Sequence, residues 1–325
     1  MTIRALFQAV KVETATAPYD TIHLKVFYPA RMSGSHQEQD LGAVPADASR
    51  APFRVVIFFN GIDCGPERYQ WLAVALAQRG KVVVTFSWVT QDLPGMTTLS
   101  PGIRLILPTQ NRGGPAPTAS ALPALLGALH SLQEQGALAG LLDLEHVIIG
   151  GHSAGGRVAI ENADPQFFPQ LAGAFAYGAH SAAFTRLGYA PGTIQPLPDR
   201  LPLLLMAGTR DGVIAQSSDR YGVAWETATT PVERTFREAI AGGRDDSYLL
   251  LIEGANHFAI TDPQDVTTGR PFLDHAPTQP LERIRDLMTE AIGDFIEAEV
   301  DRNPETREQL QRMAGHPLVA SFERK

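Results

Sequence analysis

A chain of 325 residues, 44% hydrophobic and 19% charged, has the composition of an ordinary globular protein with ample material for a large core. Its net charge of −8 argues against nucleic acid or an anionic membrane surface as the main partner, since both reward clustered Lys and Arg. The single cysteine, Cys64, excludes an internal disulfide and suits a reducing compartment.

The chain opens on MTIRALFQAVKVETATAPYD, which has neither an apolar h-region nor a small-residue cleavage site, so no signal peptide is expected. No apolar run approaches the ~20 residues of a membrane span. A cytoplasmic location is the expectation. IRALFQAVKVE and TIHLKVFYP alternate, the second with Ile22, Leu24 and Val26 on one face, and predict an antiparallel hairpin. Residues 31–50 are polar and turn-rich and read as a surface loop.

From residue 53 the pattern changes. FRVVIFF (53–59), KVVVTF (81–86), HVIIG (146–150), LAGAFAY (171–177), LPLLLMAG (201–208) and YLLLIEG (248–254) are short, continuous apolar runs. Continuity indicates strands covered on both faces, as in a parallel sheet. Helical patterns separate them. PERYQWLAVALAQRG has Pro66 in its first turn, Tyr69, Leu72, Ala73 and Leu76 on one face, and Gly80 to stop it. TASALPALLGALHSLQEQG and LERIRDLMTEAIGDFIEAEV follow suit, the latter with Leu281, Ile284, Met288, Ile292 and Phe295 as one stripe. The expected architecture is a single domain over residues 1–325, with a mostly parallel, doubly wound α/β sheet and helices on both faces. Residues 87–117 are too long and irregular for a simple connection and read as a lid or pocket wall. Residues 301–325 read as a polar tail.

VIIGGHSAGGRVAI, residues 147–160, sets one serine among four glycines. A hydroxyl that must stand clear at the end of a strand needs a sharp, strained turn. Side chains two residues before and after it would collide there, so Gly151 and Gly155 flank Ser153, and Gly156 lets the next helix approach the sheet. This is the G-x-S-x-G nucleophile elbow in its strand–turn–helix context. A phosphate loop would need Lys after the glycines, and a dinucleotide fingerprint needs G-x-G-x-x-G; neither is present. An incidental serine in a structural turn is the remaining alternative.

The other strand ends argue against that alternative. A serine hydroxyl needs a general base, and the base needs an orienting acid. LPLLLMAGTRDGVI presents Asp211 just beyond a strand, and YLLLIEGANHFAI presents His257 beyond the last one. Asp219, Asp245, Asp246 and Glu253 are rival acids, but only Asp211 lies directly past a strand in a G-T-x-D turn. His152 is the variable position of the elbow and reads as packed against its neighbours. His180 also follows a strand but precedes Asp211, and reads as a pocket-wall residue. His275 reads as solvated. Cys64 reads as a small buried filler. No His, Cys or Asp cluster has metal-ligand spacing, so neither metal nor other cofactor is expected.

With its elbow and the order serine, acid, histidine, the chain resembles the α/β-hydrolase superfamily over about residues 1–300. Within it, VVIFFNGIDCGPERYQWLAVALAQRGKVVVTF is similar to the branch holding chlorophyllases, platelet-activating-factor acetylhydrolases and polyester hydrolases, with Asn60 where histidine is usual. The resemblance implies an oxyanion hole from the backbone amides of Ile62 and Ala154. It implies a carboxylic ester hydrolase working through Ser153, Asp211 and His257 on a small-molecule substrate. Thioester, amide or lactone cleavage and cofactor-free perhydrolysis use the same apparatus. A non-catalytic binding scaffold is the alternative of another class. For the pocket, Trp88, Met96 and His180 are candidate substrate-binding residues. Leu93, Leu99, Leu105, Ile106, Leu107, Phe184 and Tyr189 add to an expected apolar lining that would favour a hydrophobic or aromatic ester.

Overall fold

In the computed structural model, which describes residues 1–93, 95–103 and 116–325, β1 (Thr2–Lys11) and β2 (Thr21–Ala30) form the expected antiparallel hairpin. Its register pairs Leu6 with Val26, and Ile22, Leu24 and Val26 are fully buried on one face. The apolar runs become β3 (Phe53–Phe59), β4 (Val82–Ser87), β7 (Leu142–His152), β8 (Leu171–Tyr177), β9 (Leu203–Gly208) and β10 (Ser247–Ile252). Between β4 and β7 lies a separate antiparallel hairpin of β5 (Val89–Leu93) and β6 (Met96–Leu99).

Among the described residues nine strands form one sheet, in the order β1-β2-β4-β3-β7-β8-β9-β10-β11, where β11 is Val319–Arg324. The six from β4 to β10 run parallel, and the hairpin and β11 add antiparallel edges. The helices are α1 (His36–Leu41), α2 (Gln70–Gln78), α3 (Leu122–Glu134), α4 (Ser153–Glu161), α5 (Gly212–Ala215), α6 (Thr230–Arg234), α7 (Leu281–Phe295) and α8 (Pro304–Arg312). They cover both faces. Along β3, Val55 and Ile57 point into a core shared with α3 and α4, while Val56 and Phe58 point into a second core shared with α2 and α7. A strand buried on both sides has no polar face to alternate, which explains the continuous apolar runs.

Two expectations are corrected. Residues 31–50 are more than a loop: Ser35 caps α1 by accepting the Glu38 N–H, and the Glu38 carboxylate accepts the N–H groups of Ser33 and Gly34. Residues 301–325 are no tail. They form α8 and β11, and β11 pairs with β10. Leu310, Met313 and Leu318 are buried in the second core, and half-buried Val319 and Phe322 pack against it. No helix among the described residues is long and apolar enough to cross a membrane.

Candidate active site

β7 ends at His152, α4 begins at Ser153, and Ser153 has φ of 54°. A left-handed backbone costs a non-glycine residue roughly 1–2 kcal/mol, so the surroundings must impose it. They do so by proximity. A Cβ on Gly151 would lie 2.6 Å from the backbone of Gly155 and from the Phe59 carbonyl; one on Gly155 would lie 2.3 Å from the carbonyls of Phe59 and Asn60. The turn therefore rests directly on the end of β3. Gly156 brings α4 down on Ala176 and Ala179, where a Cβ would come within 3.2 Å and 2.9 Å of their side chains.

Asp211 follows β9 and caps α5, its Oδ1 accepting the Ile214 N–H at 2.8 Å. Its Oδ2 lies 2.7 Å from Nδ1 of His257, which follows β10. His257 Nε2 lies 2.9 Å from Ser153 Oγ. A carboxylate only accepts, so Nδ1 carries the hydrogen and Nε2 is left to accept from the serine hydroxyl. Asp211 is fully buried and His257 nearly so. Burial disfavours the imidazolium most strongly. The Asp211 charge and hydrogen bond, with the Asp274 charge, outweigh it and raise the His257 pKa above the ordinary 6.5.

Several residues hold this relay that sequence reasoning did not single out. Asp274 Oδ1 accepts the N–H groups of Gly212, His257 and His275, and its Oδ2 accepts that of Phe258. One carboxylate thus ties the loop after β9 to the loop after β10. Burial pushes its own pKa up. Gly178, after β8, has φ of 62°, and a Cβ there would meet the His257 ring at 3.1 Å. The Tyr177 hydroxyl donates to the Asn256 carbonyl. A glycine and a tyrosine at a strand end gave no distinguishing signal in the sequence. Asp274 gave only a weak one, since aspartates are common in loops.

His152 is packed, as expected, and it also makes two hydrogen bonds. Its Nδ1 is 2.9 Å from the Tyr69 hydroxyl, and its Nε2 is 3.0 Å from the His257 carbonyl. Only Nε2–H can donate to that carbonyl, so Nδ1 accepts from Tyr69, whose oxygen in turn accepts the Gly61 N–H at 3.1 Å. Burial first, and then the nearby His257 charge, drive the His152 pKa well below the usual value, so it stays neutral. The chain Gly61–Tyr69–His152–His257 couples the loop after β3 to the histidine loop.

Ile62 lies in that loop and Ala154 in the first turn of α4; both border the cavity that contains Ser153 and His257. Neither backbone N–H has an acceptor among the described residues. The Asn60 amide donates to the carbonyls of Gly61 and Ser100, which anchors the loop. Asp63 clamps it to the excursion, accepting the Leu99 N–H and donating its own N–H to the Leu99 carbonyl.

The cavity has a volume of about 280 Å³. His180 lines it, held by the Ala182 N–H on Nδ1; burial, then Arg157 and His257, push its pKa down to about 3. Phe184 lines it too. Trp88 and Met96 do not border it. Trp88 is fully buried in the core and donates its indole N–H to the Tyr19 carbonyl, whereas Met96 is exposed on the β5–β6 hairpin. Tyr189 does not border it either, its hydroxyl accepting from Gln195 instead. Leu105, Ile106 and Leu107 lie outside the described residues. The expected apolar lining needs a second correction. Arg157, Arg186, Arg220 and Arg270 share the wall with Ile62, Ile103, Val158, Val213 and Ile214.

The rival residues lie elsewhere. Asp219, Asp245 and Glu253 are exposed, and Asp246 pairs with Arg244. Cys64 is buried, and desolvation pushes its thiol up to about 11, which leaves it protonated and inert. No group of three or more His, Cys, Asp or Glu side chains able to hold a metal ion occurs among the described residues. A hydroxyl, an imidazole and a buried carboxylate in one hydrogen-bonded line can generate an oxygen nucleophile, and two amide donors beside it can receive an oxyanion. A scan of protein-family models finds no match to this chain, and no curated protein matches it.

Proposed function

We propose that the protein is a serine hydrolase of the α/β-hydrolase fold that cleaves a carboxylic ester of a small molecule. The observation that carries this reading is the Asp211–His257–Ser153 line, with contacts of 2.7 Å and 2.9 Å, opening into a cavity of ligand size. Ser153 Oγ attacks the acyl carbonyl while His257 Nε2 takes its proton, and Asp211 steadies the imidazolium. The developing oxyanion is received by the amides of Ile62 and Ala154. His257 then protonates the departing alcohol, and water attacks the acyl-enzyme with His257 again as base. The mostly parallel sheet, with all of these groups beyond the carboxyl ends of its strands, supports the same reading.

The test has two arms. A fluorophosphonate probe is expected to label Ser153 in the native protein and to leave Ser153→Ala unlabelled. A panel of 4-nitrophenyl esters of graded acyl length, run beside thioester, amide and lactone analogues, is expected to show fastest turnover among the esters. Absence of labelling would favour a binding scaffold. A faster thioester, amide or lactone would reassign the acyl group while keeping the nucleophile.

A further inference from the structure

The cavity beside Ser153 has the opposite charge from the molecule as a whole. The chain carries 27 Lys and Arg against 35 Asp and Glu. Among the described residues, four arginines nevertheless line this one cavity, with Glu161 as the single carboxylate. Arg157 and Glu161 neutralise each other: the guanidinium Nε is 2.6 Å from Oε1 and both side chains are mostly buried. The remaining Arg157 nitrogens donate to the Ala182 carbonyl and to Gln195. Its charge is spent on structure.

Arg186, Arg220 and Arg270 are different. None forms an ion pair among the described residues. The stretch 104–115, RLILPTQNRGGP, contains no Asp or Glu to neutralise them. Arg186 and Arg220 are exposed and Arg270 is half-buried, which puts all three at the mouth. Arg186 is positioned there by its stacking over the Phe184 ring at 5.0 Å. Behind them, Ile62, Ile103, Val158, Val213 and Ile214 give an apolar interior. Three cations around a cleft repel one another, and walls of low dielectric focus their field into it. An anion in the cleft relieves that repulsion. Guanidinium groups, planar and always charged, present paired donors that match a carboxylate.

We propose that the site selects esters that carry a carboxylate, with the ester carbonyl at Ser153, an apolar spacer along the interior, and the carboxylate among Arg186, Arg220 and Arg270. This deepens the ester-hydrolase reading and rests on it. Half-esters of medium-length dicarboxylic acids and esters of acidic alcohols both have this form.

Matched substrates test it. On the acyl side, 4-nitrophenyl monoadipate is compared with 4-nitrophenyl heptanoate; on the alcohol side, 3-carboxy-4-nitrophenyl butyrate with 4-nitrophenyl butyrate. Each rate is normalised to hydroxide-catalysed cleavage. In at least one pair the anionic member is expected to have a kcat/KM about tenfold higher at low ionic strength. That preference is expected to shrink several-fold in about 0.5 M NaCl, where exposed charges are screened. It should fall toward unity in the triple variant Arg186→Gln, Arg220→Gln, Arg270→Gln. Because the reading is a ratio, a general loss of folded enzyme does not imitate it. A ratio at or below one in both pairs, or one that survives the triple substitution, overturns the proposal. If no ester is cleaved, the hydrolase reading fails separately. Calorimetric binding to Ser153→Ala then decides: monoadipate bound at least about tenfold tighter than heptanoate supports the arginine site, and equal affinities remove it.

Discussion

Asp274 holds His257 by the backbone: its Oδ1 accepts the His257 N–H at 3.1 Å while the imidazole faces Asp211. The same oxygen accepts the Gly212 N–H, so one carboxylate fixes the distance between the acid loop and the base loop and adds negative charge beside the imidazole. Asp274→Asn removes the charge and retains an acceptor. The charge raises the His257 pKa, so its loss moves the acid limb of the kcat/KM profile to lower pH. Plateau activity should fall far less than in Asp211→Asn, for which a loss on the order of 10⁴ is expected. An Asp274→Asn profile superimposable on the native one would leave the residue with a purely structural part.

Tyr69 offers a test of the coupling between loops. Its hydroxyl accepts from Gly61 and donates to His152, all in a buried setting. Tyr69→Phe leaves a buried amide and a buried imidazole nitrogen without partners, each costing roughly 1–3 kcal/mol. The expected result is a clear drop in denaturation midpoint together with a lower kcat, because Gly61 precedes Ile62 in the loop proposed to receive the oxyanion. Denaturant melts and ester kinetics on the same preparation check both. Native kcat in a destabilised variant would show that the loop keeps its geometry without this bond.

What the sequence made legible was what depends on one stretch at a time. The six apolar runs predicted the parallel strands because burial on both faces leaves no other composition. The elbow was legible because steric collisions restrict its flanking positions to glycine. The C-terminal helix and strand were hidden because α8 buries little beyond Leu310 and Thr306, a stripe too sparse to show a period. Trp88 and Met96 lie in the right excursion, but whether a side chain faces a core, a cavity or water depends on chain that is distant in sequence. The arginines carry no joint signal for the same reason: Arg157, Arg186, Arg220 and Arg270 come from separate segments that only the fold brings to one cavity.

Two substitutions near the elbow should separate stability from chemistry. Ser153→Ala keeps a small side chain and should fold normally, with a loss on the order of 10⁶ in kcat as in comparable serine hydrolases. Gly155→Ala places a methyl 2.3 Å from two backbone carbonyls at the end of β3, and backbone cannot rotate aside. Overpacking of that kind costs about 1–3 kcal/mol or more. Thermal melts and 4-nitrophenyl ester turnover on both proteins read the contrast. A stable Gly155→Ala enzyme, or a Ser153→Ala enzyme keeping about a tenth of native activity, would break the assignment of the elbow.

The pH dependence of the native protein tests His257 itself. A general base must be neutral, so kcat/KM should rise with pH as one proton leaves His257. Burial lowers its pKa, but Asp211 and Asp274 raise it by more, so the midpoint is expected above the 6.5 of an ordinary imidazole. The neighbouring groups should add no second limb. His152 and His180 are held neutral, with His180 at about 3, and the Cys64 thiol lies at about 11. Tyr69 and Tyr177, both buried, are pushed further up by desolvation. The profile for one activated ester from pH 5 to 9 should therefore be a single sigmoid that reaches a plateau. In Asp211→Asn the main opposing charge is gone and desolvation prevails, so the same limb should move below its native position. A native midpoint under 6.5 would mean that burial outweighs the two carboxylates at His257, and a rate still climbing at pH 9 would mean that another group supplies the base.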